Sequence, residues 1–258
     1  MVLMTGYNQP PPPEHPAGKY GRLPGHVPNG LRDLTWYVAG SLPVAPSEVE
    51  PPAPGKLGNW AMLGNDQYGD CGVAGIAHGE MCVADDVKRA QLNLTDQEAV
   101  QYYLTYTGGQ DNGVVLADFL AYVKKTTWFT RQLGAYAPVS VTDLATLRFV
   151  INAYGYAYTG IQVTDLMEQA FSNGAPWTSA MFTQGTVQGG HCVPLVGYDE
   201  THLYCVTWGR VQAILYPGWN AIAEEAWATI WDEVPAGGLD NHGVNLKALN
   251  SDLKLLTR

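Results

Sequence analysis

Charge is scarce in this sequence and cysteine scarcer, and no long apolar run or basic cluster interrupts its 258 residues. Each absence excludes something. With a formal net charge of -10 and no Lys/Arg run, the surface is unsuited to nucleic acid or to an anionic membrane, since both partners are themselves negative. No segment approaches the ~20 consecutive apolar residues of a membrane span. The first residues, MVLMTGYNQPPPPEHPAG, lack the basic start and apolar stretch of a secretory signal, so the expectation is a soluble protein inside a cell. The four cysteines, Cys71, Cys82, Cys192 and Cys205, form neither a CxxC pair nor a dense framework, and they read as thiols rather than disulfides or metal ligands. His15, His26, His202 and His242 have no ligand-like spacing, so neither a metal nor another cofactor is expected.

What is present divides in two. Residues 1–56 carry Pro10 to Pro13, Pro16, Pro24, Pro28, Pro43, Pro46, Pro51, Pro52 and Pro54, which break helices and central strands. This stretch reads as an extended arm, unable to build a core alone, that lies over its own domain or docks on a protein assembly. From residue 57 the composition turns globular. At 46% hydrophobic residues the chain can bury one sizeable core, which assigns residues 57–258 to a single domain.

Within that domain, Asp70 to Arg89 (DCGVAGIAHGEMCVADDVKR) predicts a helix with Asp70 near its N-cap and a stripe of small apolar residues. Further helices are expected over Thr95–Thr107, Val114–Lys125 and Thr142–Tyr154. The pattern then changes to β-branched and aromatic residues bounded by Gly or Asp. It predicts strands over Tyr156–Val163, His191–Tyr198 and His202–Trp208, the last two joined as a hairpin through Asp199–Thr201. Ala221–Asp232 (AIAEEAWATIWD) reads as a closing helix, followed by an irregular C-terminus. Helices first and strands second is an α+β order.

A thiol is a useful nucleophile when its thiolate is stabilised, and the unpaired amides at a helix N-terminus do that; Cys71 lies at one. His191 follows the glycine-rich Gln188-Gly189-Gly190 and begins an apolar strand, where an imidazole can face a cleft and serve as base. Around these two, the segment Asn65-Asp66-Gln67-Tyr68-Gly69-Asp70-Cys71-Gly72 resembles the nucleophile segment of the papain-like cysteine peptidases. Asp70 to Ala74 (DCGVA) is also similar to the corresponding run of the bacteriocin-leader-processing peptidases, a branch of that fold. Asp111-Asn112-Gly113 with the helix after it, Gly189 to Tyr198 (GGHCVPLVGY), and Thr207-Trp208-Gly209 resemble further family segments in the family's order.

The resemblance covers residues 57–232. It implies a papain-like α+β fold, a helical half carrying Cys71 packed on an antiparallel half carrying His191. It implies Cys71 as nucleophile, His191 as base and Asn65 at the oxyanion-stabilising amide position, with Gln67 as the other amide nearby. Where the family places an Asn to orient the histidine stands Val206, which cannot accept a hydrogen bond, and Thr207 or Asp199 are the substitutes on offer.

Other residues read as ordinary structure. His78 lies two helical turns, about 10 Å, from Cys71, too far for proton transfer. Cys82, Cys192 and Cys205 fill core space, and Asp85-Asp86 and Glu224-Glu225 belong to solvated helix surface. Trp208, Trp219, Trp227 and Trp231 line the core or the cleft. Two functions fit: a cysteine hydrolase acting on a protein or peptide substrate, or a papain-like fold with weakened chemistry kept as a structural component. For the second, the similarity to domains of actinobacteria and their tailed phages points to a virion protein docked through residues 1–56.

Overall fold

The computed structural model describes residues 18–52, 60–86, 94–231 and 238–256, the side chains of 84–86 excepted. In chain order the elements are α1 (Cys71–Asp86), α2 (Asp96–Tyr106), α3 (Leu116–Lys125), β1 (Leu133–Val139), α4 (Leu144–Tyr154), β2 (Ala157–Thr164), α5 (Asp165–Ser172) and α6 (Ser179–Gln184). They continue as β3 (Val187–Tyr198), β4 (His202–Thr207), β5 (Arg210–Leu215), α7 (Tyr216–Ile222), β6 (Ala223–Trp231) and α8 (Leu246–Leu255). The strands form one sheet in the order β1-β6-β2-β3-β4-β5, every neighbouring pair antiparallel.

Local chemistry explains most helix starts. Thr95 caps α2 in a reciprocal capping box with Glu98. The side chains of Asp143, Thr164, Thr178 and Asn245 accept from the first-turn amides of α4, α5, α6 and α8. Gly155 ends α4 with φ of +84°, a conformation in which a side chain would be strained.

α1 is the central helix, and residues 71–83 are buried on every side. Its glycines 72, 75 and 79 allow it to sit almost on the sheet. A Cβ at Gly79 would lie 2.4 Å from the Tyr156 ring, and one at Gly75 would lie 2.9 Å from Cys192 Sγ. Tyr158 of β2 donates its hydroxyl to the Gly72 carbonyl at 3.0 Å, fixing the first turn of α1 against the strand. Farther along, the buried Glu80 carboxylate pairs with Arg131.

Three expectations need correction. Residues 223–231 are strand β6, not helix. The Ala/Glu-rich run has helix-forming composition, but β6 lies between β1 and β2 and is buried from Ala226 onward, so packing overrides propensity. The C-terminal part is not irregular, because α8 turns Leu246, Leu249 and Leu253 into the core. His191 does not begin its strand, for β3 starts at Val187 and residues 189 and 190 pair with Val163 and Gln162.

Strand β1 escaped the sequence reading because Pro138 sits in it. β1 is an edge strand, and there the missing amide is tolerated. Residues 87–89 of the expected first helix, all the prolines at 10–16 and Pro54 lie outside the described residues. From Gly18 to Pro52 the chain runs over the domain, burying Leu31, Leu34 and Tyr37 and pairing Val49 with Tyr198.

Glycine-to-alanine changes inside helices normally stabilise by about 1 kcal/mol. At Gly79 the reverse is expected, a loss of about 1–3 kcal/mol from overpacking against Tyr156, whose hydroxyl is held by Trp231 at 2.9 Å. Urea unfolding of Gly79→Ala checks this, and an unfolding midpoint raised above that of the unsubstituted chain contradicts the close helix-sheet contact.

Candidate active site

Cys71 is the first residue of α1, and the Asp70 carbonyl accepts the amides of Val73 and Ala74. Its thiol is fully buried, which pushes its pKa up to about 12, while the backbone amides of Cys192 and Gly21 pull the other way. Burial also pushes the neighbouring Asp70 carboxyl up to about 8. Cys192 follows His191 on β3, so the Cys71 sulfur lies beside the strand that carries the histidine.

His191 is held from three sides. Its Nε2 lies 2.7 Å from Thr207 Oγ1. Trp208 stacks on the ring at 4.7 Å between centroids, and Tyr20 meets it edge-on at 6.0 Å. Nδ1 is buried and has no hydrogen-bond partner among the described residues. Burial depresses the imidazole pKa to about 3, so the ring is neutral at neutral pH. A neutral ring that donates from Nε2 to the Thr207 hydroxyl keeps its lone pair on Nδ1, the form a base requires.

The β4-β5 hairpin explains how Thr207 and Trp208 reach the histidine. Its two-residue turn, Trp208-Gly209, has φ of +44° and +77°, as a primed hairpin turn demands. Trp208 adopts a left-handed conformation that is costly for a non-glycine residue, and the turn lays its indole over His191. Thr207 is the last residue of β4, and strand alternation turns Val206 to the opposite face, so the threonine rather than the valine faces His191.

Of the two amide candidates, Asn65 is buried and Gln67 is exposed. Asn65 Nδ2 donates to the carbonyls of Lys19 and Tyr68, both at 3.2 Å. Asp199, the other possible orienting group, spends its carboxylate on the β3-β4 turn and on the Tyr204 hydroxyl. His78 is a packed histidine bonded to the Trp60 carbonyl at 2.6 Å.

Sequence reasoning missed the occupant of this cleft. Residues 18–23 run through it, with Lys19 N donating to Asn65 O at 2.7 Å and Arg22 N to Gly190 O at 3.1 Å. On the other wall, Leu23 N donates to Val114 O at 2.8 Å and Val114 N to Gly21 O at 2.7 Å. The glycines are what admit the segment, since a Cβ at Gly113 would fall 2.3 Å from Gly21 O and one at Gly190 would fall 2.4 Å from Arg22 O. Asp111 ties the walls together by accepting from Gly69 N and the Tyr103 hydroxyl, both at 2.9 Å.

No protein-family model matches the sequence, and no curated protein does. Among solved structures, the chain is similar to xylellain, a cysteine protease from Xylella fastidiosa, at 15% identity and a TM-score of 0.62, over 84% of this chain and 97% of that one. It is also similar to the cysteine protease and lectin-like domains of Cwp84, a surface layer associated protein of Clostridium difficile. There the identity is 10% and the TM-score 0.53, over 84% of this chain and 57% of that one. The fold is papain-like. At these identities the likeness is one of fold, and the papain-like architecture matches the expected placement of Cys71 at a helix start in the helical half.

If Thr207 fixes the ring, nitrogen-15 NMR of labelled histidine will find His191 as the Nε2–H tautomer and neutral down to pH 5. Thr207→Val will lose that tautomer preference and Thr207→Ser will keep it. An unchanged spectrum in Thr207→Val contradicts the orienting role.

Proposed function

We propose that this chain is a cysteine hydrolase of peptide or amide bonds, with residues 18–23 covering its cleft at rest. Cys71 is the nucleophile, and His191 Nδ1 takes the thiol proton as the sulfur attacks the carbonyl carbon. The side-chain amide of Asn65 and the backbone amide of Cys71 stabilise the oxyanion, and the proton passes from His191 to the leaving amine. Water then hydrolyses the thioester. Thr207 orients the imidazole and touches no reacting atom.

The observation that carries this reading is the imidazole itself, held at Nε2 by a hydroxyl while a buried Nδ1 has no hydrogen-bond partner among the described residues. A histidine kept only for packing, like His78, has its ring nitrogen satisfied by backbone. Supporting it, Asn65 already donates to a main-chain carbonyl lying in the cleft, that of Lys19. The similarity of Asp70–Ala74 to leader-processing peptidases favours a peptide substrate. The alternative, a fold kept to dock on an assembly such as a phage virion, needs the arm as a free surface, whereas residues 18–23 are engaged with the chain's own cleft.

An epoxide or iodoacetamide probe followed by peptide mapping tests the assignment. In Arg22→Gln, which loosens the arm, Cys71 is expected to label at least tenfold faster than Cys82, and His191→Ala on that background is expected to remove the advantage. Equal labelling of Cys71 and Cys82 in the loosened chain sinks the hydrolase reading.

A further inference from the structure

The segment in the cleft has one side chain that is buried and charged. Arg22 is 3% exposed at its side chain, and its guanidinium is gripped by two neighbouring carboxylates. Nε and Nη2 each lie 2.7 Å from Glu225 Oε1, and Nη1 pairs with the Glu224 carboxylate. The sequence pattern assigns Glu224 and Glu225 to a solvated helix face. They instead open strand β6, and Glu225 is only 11% exposed at its side chain.

The surroundings form a pocket rather than a surface ion pair. Gly160 is the register partner of Glu225, and a Cβ there would lie 2.7 Å from Arg22 Nε and 2.8 Å from Glu225 Cγ. On the other side a Cβ at Gly190 would lie 3.2 Å from Arg22 Cδ. Two strands thus each lack a side chain where the arginine stem passes. The carboxylates are positioned independently of Arg22, Glu225 by the Trp227 indole at 2.9 Å and Glu224 by Gln162 at 3.1 Å. The backbone of Arg22 meanwhile lies between Val114 and Gly190, the residue before His191, in the extended form in which a peptide would bind.

We propose that the pocket bounded by Glu224, Glu225, Gly160 and Gly190 is a subsite selecting a basic side chain, an arginine above all, in a peptide laid along this cleft. Arg22 is its occupant in the covered state. The inference rests on reading the cleft as a substrate site. When the arm leaves, the enclosed Glu225 carboxylate and the more exposed Glu224 carboxylate beside it lose their counter-charge. A planar fork of donors replaces that counter-charge on both carboxylates at once, whereas an apolar side chain leaves the enclosed Glu225 without a cation. The net charge of -10 favours the encounter with a cationic peptide.

The probes are an acetylated, amidated peptide of the sequence of residues 18–25, GKYGRLPG, and the same peptide with leucine replacing arginine. Both are titrated by fluorescence anisotropy against the full chain carrying Arg22→Gln. The arginine peptide is expected to bind at least tenfold more tightly. On that background Glu225→Gln is expected to bring the two within about twofold, and Gly160→Ala to weaken the arginine peptide by filling the pocket while leaving both charges in place. Equal binding of the two peptides, no binding of either, or a preference untouched by both substitutions in chains with intact thermal unfolding overturns the subsite. A tetrapeptide amide library on the same chain separates this from the reaction. Arginine-selective binding without turnover leaves the pocket standing and removes the hydrolase, while turnover indifferent to basic residues removes the pocket alone.

Discussion

The rest of this structure depends on the approach of α1 to strands β2 and β3 across a seam of glycines. Gly72, Gly75 and Gly79 have no side chain where Tyr158, Cys192 and Tyr156 press against the helix, so the contact is set by backbone and ring rather than by adjustable side chains. Dense packing of this kind transmits position, because a methyl group added at the seam has nowhere to go. The Tyr158 hydroxyl bond to Gly72 O then fixes the first turn, the turn that carries Cys71. A sulfur at the tip of a buried helix and a histidine on the strand beneath it are thereby held by the same seam.

Burial has opposite consequences for the two halves of the site. It keeps the thiol protonated and the imidazole neutral, the thiol pushed up to about 12 and the imidazole down to about 3, so thiolate and imidazolium are both disfavoured while residues 18–23 fill the cleft. The helix N-terminus and the amides of Cys192 and Gly21 favour the thiolate, yet desolvation outweighs them. Water admitted by departure of the arm acts on the largest of these effects. Covering and latency are, on the proposed reading, one physical fact, and Arg22 with its two glutamates adds to the backbone hydrogen bonds that hold the segment in the cleft.

What was legible in the sequence follows from range. The helices at 96 and 144 announce themselves through caps and periodicity within a dozen residues, as does the hairpin across Asp199–Thr201. The ordered segments around Cys71, His191 and Trp208 carried the papain-like expectation. Strand β6 was misread because Ala and Glu favour helix locally, and only its place between two other strands decides otherwise. The choice between Val206 and Thr207 needed the phase of β4, which the hairpin turn sets. The arm's course through the cleft was illegible, since Arg22 meets Glu225 across 203 residues of sequence and a proline-rich composition says only that a segment is extended. The glycines at 189 and 190 read only as a run before His191, and they are clearance for a chain passing over them.

The central claim is that Cys71 and His191 lie beneath a segment that keeps them uncharged. The pH dependence of Cys71 alkylation in the full chain, compared with the chain carrying Arg22→Gln, tests it most directly. For the covered site the rate climbs about tenfold per pH unit from pH 7 to pH 10, following a thiol that titrates far above that range. With the arm loosened, the rise shifts to lower pH and reaches a plateau below pH 9. Superimposable profiles for the two chains would contradict the account.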